Sequence, residues 1–411
     1  MLEGRDILCF APERWEGIWH NRHQIMSRLA QRNRVLFVEP RPYLRNLLRP
    51  VAGGAWTPHS ERRQTRLLAS SGHRLRHVRV GLYVYRPPRW APLTGRQPLK
   101  KLSDALRRRS LRRAMARLGM RQPILWLCRP WQADVVGRYG ERLLLYHVVD
   151  EYAVYEAEFA DQVGRERQQA IVAMEQGLLR QADLVIVTSP ALLGAKRPFN
   201  AHTHLVRNGV NVAAFSAALA DPSPPPEDIA ALSPPIIGCA GVINEKIDLA
   251  LLRDVARARP DWSLALIGPV TLRFHREQLA WLDLPNVHLL GFKPVEQLPR
   301  YVAACQVCLM PYKINEWTWH IDPLKMYEYL AAGQPVVSTD IPSARAFAPP
   351  LRIAHDAAGF VREIEAALAE TDDAQREAFL RLAAQHDWGA RVEALSEHIE
   401  AALARTSHSK S

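Results

Sequence analysis

The stretch "IDPLKMYEYLAAGQPVVS", residues 321 to 338, predicts a loop, a helix and a buried strand in direct succession. Asp322 is a favoured N-cap residue, Pro323 suits the first helical position and Gly333 is a common residue just beyond a last turn. The pattern therefore predicts a helix over 323–332, followed by a β-branched run that is typical of a buried strand. Apolar side chains point in nearly every direction around this helix, so we expect it to be packed on most sides.

Lys325 and Glu328 are the two charged side chains of this helix, and their spacing of three places them on one face. Lys325 lies in the first turn, where backbone N–H groups and the helix dipole favour an anion. Two interpretations are open: an ordinary surface ion pair, which contributes little stability, or a pair that binds a ligand.

Length and composition limit the class of protein. A chain of 411 residues predicts two domains, and 48% apolar residues with a mean hydropathy of −0.19 indicate an ordinary soluble protein. We find no apolar run long enough to cross a membrane and no secretory signal, so we expect a cytoplasmic protein. Cys305 and Cys308 form a CxxC pattern, but no second Cys or His pair completes a zinc site, so core packing is favoured for both.

Charge is unevenly divided along the chain. Residues 1–150 contain 30 Lys and Arg against 10 Asp and Glu, whereas the remainder contains 24 against 32. This division predicts that the first half faces an anionic partner. The segment 98–120 is typical of a basic interfacial helix on anionic lipid, with five apolar residues near one face: Leu102, Leu106, Leu111, Met115 and Leu118. A core-packed helix with a solvated basic face is the alternative, and no recognised motif supports nucleic acid as the partner. A sulfated or diphosphate-linked acceptor would also account for the basic charge.

Strand-like and helical patterns alternate along both halves, which predicts an α/β fold with parallel sheets. "HVRVGLYVYRP" is taken as one such strand, and a further helix is expected around residues 162 to 180. The Pro-rich stretch at 216–235 is a candidate linker between two doubly wound domains, which leave a cleft at the carboxyl ends of their strands. We therefore expect domains at 1–215 and 236–385, with a C-terminal helix and tail at 386–411 returning toward the first domain.

Several motifs occur in the order found in a known family: "LVRNGVNVAAF", "CAGVINEKIDLALL", "VHLLGFKPVEQLPRYVAACQVCLMPY" and "DPLKMYEYLAAGQPVVST". The chain resembles GT-B glycosyltransferases of the group 1, family 4 type. "RHQIMSRLAQRNRVLFVEP" is similar to a bacterial cell-surface polysaccharide subgroup that includes teichuronic-acid enzymes. The resemblance implies two Rossmann-like domains facing a central cleft. The first would bind the acceptor, with a possible membrane-facing segment at 80–120, and the second would bind the nucleotide-sugar.

The resemblance also assigns donor-binding residues. The acidic residue of the family's helix binds ribose hydroxyls and matches Glu328, while Lys325 matches a phosphate-binding Lys of the related xanthan glucuronosyltransferase. The other residues that we assign to the donor are Gly241, Lys246, Tyr312, His320 and Asp322.

Departures from the family pattern leave some of these roles open. The first acidic residue of the E-x7-E motif falls at His320, so its role on the sugar is lost or moved to Asp322 or Glu316. The usual Arg after the first donor-domain strand is Val242, for which Lys246 could substitute unless it is only a solvated Lys.

Catalytic and acceptor residues are expected in the first half. Asp150 ends an apolar strand and matches the position of a proposed general base, although a helix-capping role is the alternative. His147 is a second catalytic candidate. His23 and Arg22, in the first strand-to-helix connection, are predicted to bind the acceptor.

The predicted function is transfer of a sugar from a nucleotide-sugar to a saccharide or lipid-linked saccharide, without a metal or other cofactor. We expect it at the inner face of the plasma membrane, on an anionic surface. The alternatives are a nucleotide-sugar epimerase of similar fold and a non-catalytic binding module. A dinucleotide oxidoreductase is disfavoured because no GxGxxG follows a predicted first strand. Family likeness implies retention at the anomeric carbon, whereas a working Asp150 base implies inversion.

Overall fold

The computed structural model describes residues 1–41, 74–94, 98–152, 154, 165–272, 276–370 and 372–408. They form two compact units. Unit 1 comprises Met1–Val206 and the residues from Val392 onward, and unit 2 comprises Arg207–Arg391.

Unit 1 is built on a sheet of eight strands. These are β1 (Asp6–Phe10), β2 (Arg34–Val38), β3 (Leu75–Arg79), β4 (Leu82–Tyr85), β5 (Ile124–Leu127), β6 (Leu143–Val148), β7 (Leu184–Val187) and β8 (Thr203–Leu205). Their order is β3-β4-β2-β1-β5-β6-β7-β8, and every neighbouring pair is parallel except β3 and β4. Its helices, where described, are α1 (Asn21–Leu29), α2 (Leu99–Arg117), α3 (Arg165–Gln181) and α4 (Pro190–Lys196).

Two predictions for unit 1 need correction or completion. The single strand expected for "HVRVGLYVYRP" is wrong, because the chain reverses at Val80 and Gly81 and pairs β3 with β4 in antiparallel fashion. The helix expected around 162–180 is α3, and residues 162–164 lie outside the described part of the chain.

Helix α2 does not present its five predicted apolar residues as one lipid-facing stripe. Leu111 and Met115 are buried in the unit 1 core, whereas Leu102 is 58% exposed. The prediction of a lipid-facing apolar stripe is therefore wrong, because its central residues pack in the core of unit 1. The opposite face is exposed and basic, and it includes Arg109, Arg113 and Arg117.

Unit 2 is built on a parallel sheet of six strands. These are β9 (Ile236–Ala240), β10 (Ser263–Ile267), β11 (Val287–Leu289), β12 (Val307–Met310), β13 (Val336–Thr339) and β14 (Arg352–Ala354). Their order is β11-β10-β9-β12-β13-β14. The described helices are α5 (Val212–Ala220), α6 (Glu227–Ala230), α7 (Leu249–Ala258), α8 (Leu298–Ala303), α9 (Glu316–Trp319), α10 (Leu324–Ala331), α11 (Pro342–Arg345), α12 (Ala357–Ala369), α13 (Asp373–Ala384) and α14 (Trp388–His408), which continues into unit 1.

Helix α10 is the helix of the opening stretch. It begins at Leu324, with Pro323 as the N-cap residue, so the prediction of Asp322 as N-cap is wrong. Beyond its end, Gly333 has a φ of +67°, and an added Cβ there would lie 2.7 Å from Arg376. Most of the helix is buried, as its all-round apolar pattern predicts.

The Pro-rich segment is not a separate linker. The boundary between the units lies at Val206 and Arg207, and the segment carries α6 within unit 2. Ile229 is fully buried there, and the Tyr301 hydroxyl donates to Asp228 at 2.7 Å. Proline residues at its ends therefore interrupt the helices without freeing the segment from the core.

Two smaller points concern cysteines and membrane spans. All five cysteines are free and buried, and Cys305 packs so closely on β9 that a Cβ at Gly238 would lie 2.3 Å from its sulfur. Core packing of the CxxC pair is thus confirmed. Within the described residues, no helix combines the length and apolar character needed to cross a membrane.

Candidate active site

The carboxyl ends of β9 and β12 in unit 2 bring three predicted donor residues together. Gly241 follows β9 with a φ of +101°, and an added Cβ would lie 3.4 Å from Cε and 3.6 Å from Nζ of Lys325. The ammonium of Lys325 also lies 5.3 Å from the ring centroid of Tyr312. A side chain at Gly268 would collide with the Gly241 carbonyl at 1.9 Å, so the two loops need glycine to approach this closely.

Lys325 carries the most distinctive side chain of this site. It is only 8% exposed, and no carboxylate or carbonyl oxygen of the described residues accepts a hydrogen bond from its Nζ, on which only the Tyr312 side chain has a hydrogen-bonding effect. Burial opposes its charge, but neighbouring groups, Cys239 and Tyr312 foremost, hold the pKa of Lys325 above its usual value. A buried ammonium without a carboxylate or carbonyl acceptor is uncommon in folded proteins, so the site is prepared for an anion.

Glu328 lies one turn further along α10 and is half-buried. Burial raises the pKa of Glu328 to about 7, while the nearby charge of Lys325 acts in the opposite direction. Its carboxyl group therefore exchanges a proton near neutral pH, and hydroxyl donors from a ligand would favour the ionised form.

Lys246 lies on the connection between β9 and α7. Its Nζ is 4.5 Å from the ring centroid of Trp317, and its carbonyl accepts a hydrogen bond of 2.9 Å from the Lys313 backbone. Ile247 pairs with Tyr312 in an isolated bridge, so this loop lies beside the donor residues. A phosphate contact for Lys246 stays a prediction.

Asp322 has an architectural role. Its carboxylate accepts hydrogen bonds from the Asn208 backbone at 2.7 Å and from the Tyr327 hydroxyl at 2.8 Å. Asn208 also donates through its side chain to the Asp322 carbonyl at 2.6 Å. Burial raises the pKa of Asp322 to about 6. Because both carboxylate oxygens are already bonded, Asp322 positions the start of α10, and its predicted donor contact has no support here.

His320 follows the short helix α9, and its Nδ1 lies 2.8 Å from the Glu316 carbonyl. The contact fixes the ring orientation within unit 2. Its predicted role at the donor stays a prediction.

In unit 1, Asp150 follows the end of β6 and is half-buried. The Asp150 charge helps to raise the pKa of the Arg129 guanidinium and the pKa of the Tyr152 hydroxyl, so the three side chains are neighbours. The next residue, Glu151, is buried and bonded to Lys196 at 2.6 and 2.7 Å, so it belongs to the core and not to the strand-end site.

His147 does not suit a catalytic role. It is 1% exposed on β6, and burial, with a smaller effect of Arg22, lowers the pKa of its imidazole to about 3. Its ring packs against Trp126 with the centroids 5.6 Å apart. Such a weak, enclosed base is not available to an acceptor hydroxyl, so the prediction for His147 is wrong.

His23 is also a core residue. It is fully buried, its Nε2 lies 2.9 Å from the Arg14 carbonyl, and its Nδ1 accepts from the His20 backbone at 3.1 Å. Both ring nitrogens are thus used within unit 1, and the predicted acceptor contact of His23 is wrong.

Arg22, the adjacent candidate, keeps free donor capacity. Its Nε donates to Glu13 at 3.0 Å and its Nη2 to the same carboxylate, whereas its Nη1 is buried without a partner among the described residues. Burial opposes ionisation of Glu13, but the Arg22 charge holds the pKa of that carboxyl at about 2.

Sequence reasoning missed three residues at this edge: Glu13, Arg129 and Tyr152. Arg129 could have been found, because it follows β5 just as Asp150 follows β6, and neighbouring parallel strands end at the same edge. Glu13 lies in an irregular segment that carries no periodic signal, and Tyr152 begins a helical stretch just after the strand end.

In the described part of the chain, no cluster of three or more His, Cys, Asp or Glu residues could hold a metal ion. Independence of a metal stays a prediction. The charges available to the donor site are those of Lys325, Lys246 and the first turn of α10.

Comparison with known proteins finds a family profile within unit 2. Residues 234–370 match the family profile described as "Glycosyl transferases group 1". A Bacillus subtilis (strain 168) protein, the putative teichuronic acid biosynthesis glycosyltransferase TuaH, is 28% identical over 226 residues. That alignment covers 53% of this chain and 56% of TuaH, so it spans little more than half of this relative.

Solved structures extend the likeness to both units. Sucrose-phosphate synthase from Thermosynechococcus elongatus has a TM-score of 0.67 at 16% identity, covering 98% of this chain and 100% of that one. Anabaena HepE, solved with UDP and glucose, has a TM-score of 0.62 at 16% identity, covering 97% and 100%. Likeness at this identity shows the fold. The predicted GT-B fold class is therefore confirmed, and residues 234–370 are similar to the group 1 glycosyltransferase profile.

Proposed function

We propose that the chain transfers a sugar from a nucleotide-sugar donor to a saccharide or lipid-linked saccharide in the synthesis of a cell-surface polysaccharide. One observation carries this proposal: the Lys325 ammonium is buried against Gly241 without a carboxylate or carbonyl acceptor in the described chain. A donor diphosphate would supply the missing acceptors as charge-assisted hydrogen bonds. The likeness to TuaH supports the polysaccharide role, and the UDP complex of HepE supports the donor class.

The proposed donor roles follow from charge and position. Lys325 and the first backbone N–H groups of α10 stabilise the negative charge that develops on the departing nucleoside diphosphate. Glu328 accepts hydrogen bonds from the ribose hydroxyls one turn away. Gly241 leaves room for the phosphates because any Cβ would approach the Lys325 side chain. Lys246 and Tyr312 line the adjoining loops.

A nucleotide-sugar panel tests the proposal. We expect the melting temperature of the full chain to rise with one or more of the UDP, GDP, TDP and CDP sugars. Saturation at 100 times the dissociation constant would add about 2.7 kcal/mol to the unfolding free energy. The shift should disappear in Lys325→Met and persist in Lys101→Met, a matched change at an exposed position. No shift with any of these donors would contradict the proposal.

Product analysis separates the alternatives. A glycosyltransferase consumes the donor only when an acceptor is present or, more slowly, when water replaces it. Conversion of the donor into an isomeric nucleotide-sugar without an acceptor would identify an epimerase instead. Binding without any turnover, across saccharide acceptors, would favour a non-catalytic module.

We propose Asp150 as the candidate general base, with the stereochemical course open. Asp150→Asn removes the proton acceptor while keeping the shape of the side chain. A large loss of turnover with inversion at the anomeric carbon would support the base. Unchanged turnover in a normally folded variant would remove Asp150 from the mechanism and leave retention as the expected course.

We also propose that unit 1 docks on an anionic membrane surface through α2. Arg109, Arg113 and Arg117 are exposed at intervals of four residues and therefore lie on one helical face. Three exposed apolar side chains lie on or before the first turns of the same helix: Trp90 (54%), Leu99 (45%) and Leu102 (58%). Each basic residue near such a surface contributes about 1 kcal/mol, which supports reversible binding.

Vesicle flotation tests the docking. The protein should float with anionic vesicles at low salt and not with neutral ones. Replacing Arg109, Arg113 and Arg117 together by Gln should abolish flotation, whereas the same change at Arg257, Arg345 and Arg381, exposed in unit 2, should not. Equal recovery with both vesicle types would reject an electrostatic dock.

A further inference from the structure

The edge of unit 1 that carries Asp150 also carries two guanidinium groups, those of Arg22 and Arg129, and Arg22 has an unused donor. Arg22 lies in the first turn of α1 and is 2% exposed. Its Nε and Nη2 are held by Glu13, but its Nη1 is buried and meets no acceptor in the described chain. An arginine nitrogen in such a position is costly unless something binds there.

Arg129 adds a second cation to the same edge. It follows β5, and its guanidinium carbon lies 4.4 Å from the ring centroid of Tyr152, so the guanidinium stacks on the aromatic face. Tyr152 is 3% exposed, and its hydroxyl is buried without a described partner. Two unsatisfied donors, the Arg22 Nη1 and the Tyr152 hydroxyl, thus belong to the same sheet edge as the stacked Arg129.

The sheet order explains why these groups meet. Strands β1, β5 and β6 are consecutive neighbours and run parallel, so their carboxyl ends lie along one edge. Arg22 lies in α1, the helix that follows β1, whereas Arg129 follows β5 and Tyr152 follows β6. Ligands of open α/β sheets bind at this edge, and the first turn of α1 adds its own preference for negative charge.

Net charge does not decide the ligand here, because Arg22 and Arg129 are matched by the carboxylates of Glu13 and Asp150, so the unused donors are what favour an oxyanion. Glu13 is already engaged by two nitrogens of Arg22. Burial opposes the charge of Arg129, but neighbouring groups that include Glu13 and Asp150 raise its pKa above the usual value. His20 adds no charge at neutral pH, because burial lowers the pKa of its imidazole to about 4.

We propose that the acceptor carries an oxyanion, a carboxylate or a phosphate, and that Arg22, Arg129 and the Tyr152 hydroxyl bind it in unit 1. Guanidinium groups suit this chemistry because their planar donors match both oxyanions. Asp150 is close enough to influence Arg129 and Tyr152, so a saccharide held by its anionic group presents hydroxyls beside Asp150. This inference rests on the proposed acceptor role of unit 1 and adds the chemical class of the acceptor.

The test compares ligands that differ in charge, using calorimetric titration of the full chain. Glucuronate and glucose 1-phosphate should bind, and glucose should bind at least about 10-fold more weakly. Glucuronate as the stronger ligand would identify a carboxylated acceptor. Glucose 1-phosphate as the stronger ligand, with competition by inorganic phosphate, would identify a phosphorylated one. Equal binding of glucose and both anionic sugars would overturn the proposal.

Variants connect the binding to these residues. Arg129→Gln should weaken the anionic sugars about 10- to 100-fold, the effect of losing one charge-assisted contact, and should not affect glucose. Tyr152→Phe keeps the aromatic ring against which Arg129 packs, and it should weaken the binding of the anionic sugars about 10-fold. This variant therefore tests the site even if Arg129→Gln lowers the stability of the protein. Arg257→Gln, at an exposed position of unit 2 outside every proposed site, is the matched control and should leave the binding of all three sugars unchanged. Unchanged binding in Arg129→Gln and Tyr152→Phe would reject the assignment.

The same proteins separate this inference from the proposed function. Nucleotide-sugar binding depends on Lys325 in unit 2 and should be intact in Arg129→Gln and Tyr152→Phe. If the protein binds a donor but does not discriminate glucuronate from glucose, only the inference of an anionic acceptor is contradicted, and the proposed donor site stands. A chain that binds anionic sugars but no donor would contradict the donor site alone.

Discussion

Two buried lysines, one in each unit, illustrate two uses of a charge inside a protein. Lys196 in unit 1 donates to both oxygens of Glu151 and, at 3.0 Å, to Glu175, which also accepts from the Tyr146 hydroxyl. Lys325 in unit 2 is buried to a similar degree, at 8% against 5% exposure, but no carboxylate or carbonyl oxygen of the described chain accepts a hydrogen bond from its Nζ. Burial alone therefore does not identify a binding residue, whereas a buried charge without an internal partner is a candidate for one.

The hydrogen bonding of Arg22 is intermediate between that of the two lysines. Two of its nitrogens are satisfied by Glu13 and the third is not. One side chain can thus be part of the architecture and also offer a donor to a ligand. The following predictions test the comparison, from the largest expected effect to the smallest.

Replacing the partnered lysine should have the largest effect. Lys196→Met leaves two buried carboxylates without their cation, so we expect a loss of about 3 to 5 kcal/mol of unfolding free energy. Calorimetry of the full chain measures it, with Lys101→Met as the exposed control. A loss below about 1 kcal/mol would mean that the Lys196 cluster is not a structural unit.

Replacing the unpartnered lysine should affect function and not stability. Lys325→Met keeps the length of the aliphatic stem and removes a buried charge, so the melting temperature without ligand should stay or rise. Turnover of the donor should fall about 100- to 1,000-fold, as for loss of one donor to a developing negative charge. If Lys325→Met destabilised the protein as much as Lys196→Met and left donor binding intact, Lys325 would have a structural role and not a binding role.

Asp322 tests a carboxylate whose partners are internal. Asp322→Ala leaves the Asn208 amide and the Tyr327 hydroxyl buried without acceptors, which should cost about 2 to 3 kcal/mol of unfolding free energy. Asp322→Asn retains one acceptor and should cost less. Chemical denaturation of the three proteins measures the series, and equal stability of all three would exclude the architectural role.

Glu328 tests a carboxylate whose partners are expected in the ligand. Its pKa is about 7 without ligand, and ribose hydroxyls donate more strongly to the ionised carboxylate than to the neutral acid, so donor affinity should fall as pH drops below 7. The expected slope is about 10-fold per pH unit. Titration with an intact nucleotide-sugar, whose diphosphate does not titrate in this range, measures it between pH 7.5 and 5.5.

The control for this prediction is Glu328→Gln. It should bind the donor more weakly at neutral pH and show no slope, because the amide does not ionise. A flat profile in the natural protein, or the same slope in Glu328→Gln, would place the titrating group elsewhere.

Local patterns predicted the secondary structure well where the signal was short-range. The alternation of apolar strands and helices predicted both parallel sheets, and the run from Leu324 to Gly333 predicted a helix with its stop. Lys325 and Glu328 could be proposed as a pair from their spacing alone. These features depend on neighbours in sequence, so the sequence contains them directly.

The errors arose where distant residues compete for a side chain. Asp322 has the identity of an N-cap, but Asn208, more than one hundred residues away, binds its carboxylate instead. His147, predicted as catalytic, and His23, predicted to bind the acceptor, are both enclosed by the core of unit 1. Residues 216–235 have the composition of a linker, yet Ile229 anchors them in unit 2.

The sequence by itself determined the α/β class, the order of the elements and the types of charged residue at the strand ends. Only the tertiary structure decided which of those charges are satisfied inside the protein, because a buried group's partner is set by three-dimensional packing and not by sequence spacing. Lys196 and Lys325 are both helical lysines in the sequence, and the presence of Glu151 and Glu175 beside one of them makes the difference.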